Sequence, residues 1–132
     1  MNIELDFVIR TYEIDFGGHV SNIVYIRWLE DLRLEMLNRS LPLGDILARG
    51  RVPVLLSTQI DYLAQPHLPQ TVRGRMWTTK LQRSRAFLGA EFTIAETGEV
   101  AARATQSFCV LDRASGRPVR LPDELRAFMD DL

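Results

Sequence analysis

The residues with the most chemical potential lie in the segment Tyr12-Glu-Ile-Asp-Phe-Gly-Gly-His-Val-Ser-Asn-Ile-Val-Tyr-Ile-Arg-Trp-Leu-Glu30. A strand-like run ends at an acid, Asp15. Gly17 and Gly18 then break the chain, and a polar turn opens into a strongly apolar helix at Ser21 or Asn22. The first N–H groups of a helix have no intrahelical partner and carry partial positive charge. A carbonyl bound there is polarised, and one backbone donor aimed at a developing oxyanion contributes on the order of 3 kcal/mol. An aspartate beside those donors can attack the carbonyl carbon itself or orient a water to do so. The residue pattern leaves both routes open.

Other residue types can be weighed against this centre. His19, in the glycine turn, suits positioning better than proton transfer, and Gly18, Asn22 and Tyr25 could line a pocket. Tyr25 fits equally well as a core aromatic with a tethered hydroxyl. Glu30 lies two helical turns past the helix start and reads as a paired or capping acid. No acid occurs between Asp61 and Glu91, yet Arg73, Arg75, Lys80, Arg83 and Arg85 all fall there. Lys80, Arg83 and Arg85 flank a turn, and guanidinium groups suit phosphate through bidentate contacts. Arg73, Arg75 and Trp77 share a strand face that could be a subunit contact or a nucleic-acid surface, the latter disfavoured by the lack of a broad basic excess or a matching RNA motif. Asp61 reads as a surface or interface acid, and His67, between prolines, as solvent-facing. No Cys/His cluster has metal-ligand spacing, so no metal is expected.

These groups need a scaffold. Ile3 to Thr11 reads as a first strand. From Asn22 to Asn38 the period changes: Tyr25, Leu29, Leu32 and Met36 recur at helical spacing, Ile26 and Leu37 widen the stripe, and Arg27, Asp31, Glu35 and Asn38 form a narrow polar strip. A helix this apolar should be mostly enclosed, with Ser21 or Asn22 capping its start. A helical turn is expected at Leu43 to Ala48. Val54, Leu56, Thr58, Ile60 and Tyr62 alternate as a strand, followed by a proline-interrupted loop at Gln65 to Pro69. Thr71 to Leu81, Ala86 to Glu96 and Val100 to Asp112 are further strands, with Thr97-Gly98 as a hairpin turn. A short terminal helix begins near Pro122. One long helix among five antiparallel strands is an α+β layout in which the sheet must cover the helix.

Composition bounds the rest. The chain has 132 residues, the size of one domain, with 46% apolar and 25% charged residues. A net charge of -1 gives no global field toward nucleic acid or an anionic membrane. The single cysteine, Cys109, forbids an intrachain disulfide and suits a cytoplasmic protein. The first residues lack the basic start and apolar run of a signal peptide, and no stretch is long and apolar enough to span a bilayer.

The stretch Asp15 to Tyr25, followed by Ile-Arg-Trp-Leu-Glu30, resembles the signature of hotdog-fold acyl-CoA thioesterases, closest to the 4-hydroxybenzoyl-CoA thioesterase-like group. Ile60-Asp-Tyr-Leu-Ala-Gln-Pro66, the Lys80 to Phe87 turn and the terminal Leu-Pro-Asp-Glu extend the likeness. Ser21 stands where many relatives have Asn, and Gly17 where some have Pro, Ala or Asn. The resemblance implies a sheet wrapped around one long helix. It also implies that Asp15 is nucleophile or general base and that a backbone N–H at or near Asn22 polarises the thioester carbonyl. By the same resemblance, Lys80, Arg83 and Arg85 bind coenzyme A phosphates, and the subunits form a homodimer or homotetramer with sites at the interfaces. No cofactor is needed beyond the coenzyme A of the substrate. Acyl carrier protein is an alternative acyl donor, and a non-catalytic acyl-CoA sensor is a rival of another class.

Overall fold

The computed structural model describes residues 1–132. Its first strand, β1 (Ile3–Val8), turns Ile3, Leu5 and Phe7 toward the core and Glu4, Asp6 and Val8 outward, the period-two pattern of a half-buried strand. It ends three residues earlier than Thr11. Thr11–Glu13 instead form a single 3-10 turn, closed by the Arg10 N–H donating to Glu13 Oε1 at 2.7 Å. Helix α1 (Asn22–Ser40) and the short α2 (Leu43–Ala48) follow, then β2 (Arg51–Tyr62), β3 (Thr71–Leu81), β4 (Arg85–Ile94), β5 (Val100–Asp112), β6 (Pro118–Val119) and α3 (Asp123–Asp130).

The strands form one antiparallel sheet in the order β1-β3-β4-β5-β2, and β6 pairs with the end of β5 through Val110↔Val119. The sheet therefore has six strands, where five were expected. β6 is only two residues long, too short for alternation to reveal. Val72 and Met76 on β3, Leu88 and Phe92 on β4, and Ala102 and Phe108 on β5 form the inner surface on which α1 lies. The helix buries Val24, Tyr25, Trp28, Leu29, Leu32, Met36 and Leu37 there. Beneath the helix, Gly74 leaves no room for a side chain. A Cβ at this position would stand 2.8 Å from the Phe7 ring, 3.0 Å from the Phe92 ring and 3.2 Å from Leu32. The β4–β5 hairpin turns as expected at Thr97-Gly98, where Gly98 has φ +78°.

Enclosure of the helix is incomplete. Ile26, expected to widen the buried stripe, is 41% exposed, and Ile23 and Leu34 are exposed with it. The edge strand β2 is correspondingly open, with Leu55, Leu56 and Tyr62 all exposed. On the outer face the arginines of β3 are neutralised. Arg73 pairs with Asp6 (2.8 Å) and Glu4 (3.3 Å), and Arg75 and Arg103 share Glu91 at 2.8 and 3.1 Å. No helix is long and apolar enough to cross a membrane.

Candidate functional site

Asp15 sits inside a tight hairpin rather than at a strand end. Ile14 and Val20 form an isolated antiparallel bridge. Within it the Asp15 N–H donates to the His19 carbonyl (2.9 Å) and the Gly18 N–H to the Asp15 carbonyl (3.0 Å). Gly18 has φ +83°, a conformation that glycine adopts at little cost. The Asp15 carboxylate accepts from the Gly17 N–H at 2.9 Å and the His19 N–H at 3.4 Å, both through Oδ1. Oδ2 has no protein donor, and the side chain is exposed. One oxygen is thus fixed by the loop backbone while the other is free to react. Space matters too: a Cβ at Gly17 would stand 3.3 Å from Oδ1.

The hairpin delivers the chain directly into α1. The Val20 N–H donates to the Pro66 carbonyl and the Ser21 N–H to the Glu13 carbonyl, which fixes the entry to the helix. Ser21 has the extended backbone of an N-cap residue, but no side chain caps the helix. The expected Ser21 or Asn22 cap is absent, so the Asn22 and Ile23 N–H groups have no partner within the protomer. The carbonyl of Asn22 is tied instead, accepting from Tyr62 Oη at 3.2 Å.

Asp15, Gly18, His19 and Asn22 are therefore gathered at one end of α1. His19 is half-buried and its Nδ1 has no partner. Tyr25 lies in the core, 2% exposed, with its ring 5.2 Å from Trp28, 5.3 Å from Phe92 and 5.4 Å from Tyr62. Burial, and secondarily Tyr62, raise its phenol far above the ordinary tyrosine value, so it is a neutral hydroxyl without a partner. This is the core placement that the sequence left open.

The basic group is elsewhere. Val8 pairs with Thr71 at the Asp15 end of the sheet, whereas Leu81 pairs with Ala86 at the other. Ten residues of strand separate the two, about 33 Å. Lys80 lies 5.8 Å over the Phe87 ring, and none of Lys80, Arg83 and Arg85 forms an ion pair. Within one protomer these cations and Asp15 do not meet.

Sequence reasoning missed a further feature. A cleft of ≈ 250 Å³ opens between the C-terminal half of α1, Leu43 and the first half of β2. Leu34, Leu37, Val54 and Phe108 supply apolar walls, and Arg33 and Glu30 its polar margin. Two other concavities, of ≈ 360 and ≈ 320 Å³, lie on the outer sheet face around Trp77 and between Arg49 and the Arg120–Glu124 segment. Asp15 lines none of the three. The available sequence signal was Gln106, the one amide in the otherwise apolar inward row Ala102, Ala104, Phe108 and Val110 of β5; it does not line the cleft but holds Arg33, which does. No group of three His, Cys, Asp or Glu side chains is placed to hold a metal ion.

Comparison with known proteins places this geometry. The long-chain acyl-CoA thioesterase FadM of Escherichia coli K12 is 24% identical over 124 residues, 94% of each chain. Among solved structures, a 1,4-dihydroxy-2-naphthoyl-CoA thioesterase from Synechocystis superposes with a TM-score of 0.92 at 19% identity, covering 100% of this chain and 98% of that one. A Staphylococcus aureus protein solved in complex with CoA superposes with a TM-score of 0.93 at 14% identity, covering 99% and 83%. The family model described as the thioesterase-like superfamily matches residues 9–129. With the sheet-wrapped helix and the Asp15 hairpin at its head, that match shows that the chain belongs to the thioesterase-like superfamily, thioester hydrolases built on the hotdog fold.

Proposed function

We propose that the protein is an acyl-CoA thioesterase, converting an acyl-CoA and water to a carboxylic acid and free coenzyme A, with Asp15 as nucleophile or general base. The observation that carries this reading is the Asp15 carboxylate, held through Oδ1 by two backbone N–H groups and open at Oδ2, beside an uncapped helix start. The Asn22 and Ile23 N–H groups would receive the thioester oxygen as it gains charge. Asp15 then either attacks, expelling the thiolate and giving a mixed anhydride that water later hydrolyses to the free acid and the Asp15 carboxylate, or directs water onto the carbonyl carbon. The thiolate is a good leaving group, thiols having pKa values near ~8.5, so little acid help is required at sulfur.

The working unit in this reading is a homodimer, free to pair into a homotetramer. An open edge strand twelve residues long with exposed leucines is a template for pairing with a second copy. A two-fold axis normal to the sheet would pair β2 antiparallel with its copy. That reverses one protomer end to end and brings the partner's Lys80, Arg83 and Arg85 to the same end as Asp15, where they could bind coenzyme A phosphates. Their freedom from ion pairs supports the role, and it also favours acyl carrier protein, an acidic carrier, as the alternative acyl donor. The ratio of kcat/KM for matched acyl-CoA and acyl-carrier substrates separates the two.

The primary test is Asp15→Asn. Turnover of acyl-CoA, followed by released thiol, should fall about 10³-fold, with melting temperature and acyl-CoA affinity retained. Equal turnover in the variant would remove Asp15 from the reaction. A sensor built on this fold would show acyl-CoA binding with no thiol release in the wild-type protein.

A further inference from the structure

The cleft beside α1 contains a cation that is not neutralised by ion pairing. Arg33 projects from the buried side of the helix, between Leu32 and Leu34, and is half-buried. Its Nη1 donates to Gln106 Oε1 at 2.7 Å, and Gln106 Nε2 donates in turn to Thr58 Oγ1 at 2.9 Å. This chain fixes the guanidinium but uses only part of a group that carries five N–H donors. No carboxylate pairs with it. Glu30, one turn earlier on the same margin, is exposed and makes no hydrogen bond or ion pair to Arg33, and its nearby charge offsets only part of the guanidinium's desolvation. A guanidinium withdrawn from water among apolar walls carries a desolvation cost that an anionic oxygen would offset. The surrounding walls, from Leu34, Leu37, Leu55 and Phe108, suit a hydrocarbon chain or ring.

We propose that this cleft receives the acyl group and that Arg33 selects acyl groups ending in an anionic oxygen, a carboxylate or a phenolate. The inference rests on the thioesterase reading, in which a second copy paired through β2 sets its Asp15 near this end of the sheet. Arg33 then marks the far end of the acyl group while Asp15 of the partner subunit addresses the thioester. Gln106 and Thr58 act as positioning residues for the guanidinium.

The test compares octanoyl-CoA with the coenzyme A half-thioester of suberic acid, equal in chain length and different only at the far end. The wild-type protein should favour the suberyl ester in kcat/KM by about 10-fold or more. In Arg33→Met that ratio should fall to about one or invert, and Arg33→Lys should restore part of it. A ratio is insensitive to a general loss of folded protein, so a merely structural Arg33 would leave it unchanged. Preference for octanoyl-CoA in the wild type, or a suberyl preference that survives Arg33→Met, overturns the proposal while leaving the thioesterase reading intact. If neither ester is hydrolysed, neither is a substrate and the cleft is judged by binding, while the thioesterase reading is judged separately by thiol release over a wider panel of acyl-CoA esters. Suberic acid should then raise the melting temperature of the wild type more than octanoic acid, and this difference should vanish in Arg33→Met. Equal shifts in the wild type overturn the proposal.

Discussion

The two ends of the sheet are chemically opposite. At one end stand Asp15 with a free carboxylate oxygen, unpaired helix N–H groups and exposed Phe16, Ile23 and Tyr62. At the other stand unpaired Lys80, Arg83 and Arg85 and the apolar cleft with Arg33. In the proposed reaction the first end would activate a carbonyl, yet Asp15 lines no cavity; the second would hold an acyl chain and phosphates, yet lacks the Asp15 hairpin. The difference teaches that, if both ends serve the proposed reaction, a protomer holds them about 33 Å apart along the strands and cannot join them alone. An antiparallel copy across β2 would bring unlike halves together.

The hardest blow to that arrangement is a charge on the shared edge. Leu56→Arg should convert the proposed dimer to monomer in sedimentation and reduce thiol release about 100-fold or more, while far-ultraviolet dichroism stays unchanged, because Leu56 is exposed and β2, paired with β5 on one side, has no strand partner on its outer edge within the protomer. A fully active monomer would mean that one protomer holds a whole site. Next in size, Arg83→Ala with Arg85→Ala should raise KM about 10-fold for coenzyme A esters and far less for pantetheine thioesters, which lack the nucleotide phosphates. A KM change common to both would remove the phosphate role. Gly74→Ala tests the core that holds both ends in line. A methyl group forced against Phe7, Phe92 and Leu32 should cost about 1–3 kcal/mol in denaturant unfolding, at either end alike. Tyr25→Phe should stabilise the fold by on the order of 1 kcal/mol, since it deletes a buried hydroxyl with no partner. A loss of stability instead would show that assembly supplies a partner. The smallest effect belongs to the outer face. The hydrogen bond from Arg73 holds the Asp6 carboxyl below the ordinary aspartate range. Its small contribution is therefore complete above the unfolded value of ~3.9 and is lost as pH falls through the lower folded value. Asp6→Asn should flatten the acid limb of the melting curve only slightly.

Legibility in the sequence followed periodicity. Thr71–Leu81 and Val100–Asp112 were readable to the residue because long strands with one buried face repeat their pattern many times. The helix start at Asn22 was legible from the change of period and the glycines before it. What failed was local and context-dependent. The chain leaves β1 at Val8 because Glu13 closes a 3-10 turn onto Arg10, a hydrogen bond no apolar pattern announces. Ile26 belongs to the apolar stripe by spacing and yet faces outward, because the open β2 edge leaves that flank uncovered. The gathering of Asp15, Gly18, His19 and Asn22 at the helix head was legible because all four lie within one short segment. Arg33, Gln106 and Thr58 are dispersed over α1, β5 and β2, and only the fold brings their side chains together. The separation of Asp15 from Lys80, Arg83 and Arg85 was equally hidden, since strand direction alone sets it.

Tyr62 holds the last register position of β2, opposite Ala102, and its hydroxyl reaches the carbonyl of the first residue of α1. Edge strand and helix head are thereby one mechanical piece. A twist imposed on that strand by docking would be passed to the donors beside it with little slack. Specific activity should accordingly decline on dilution before any melting of the chain is detected, making protein concentration itself a control on output.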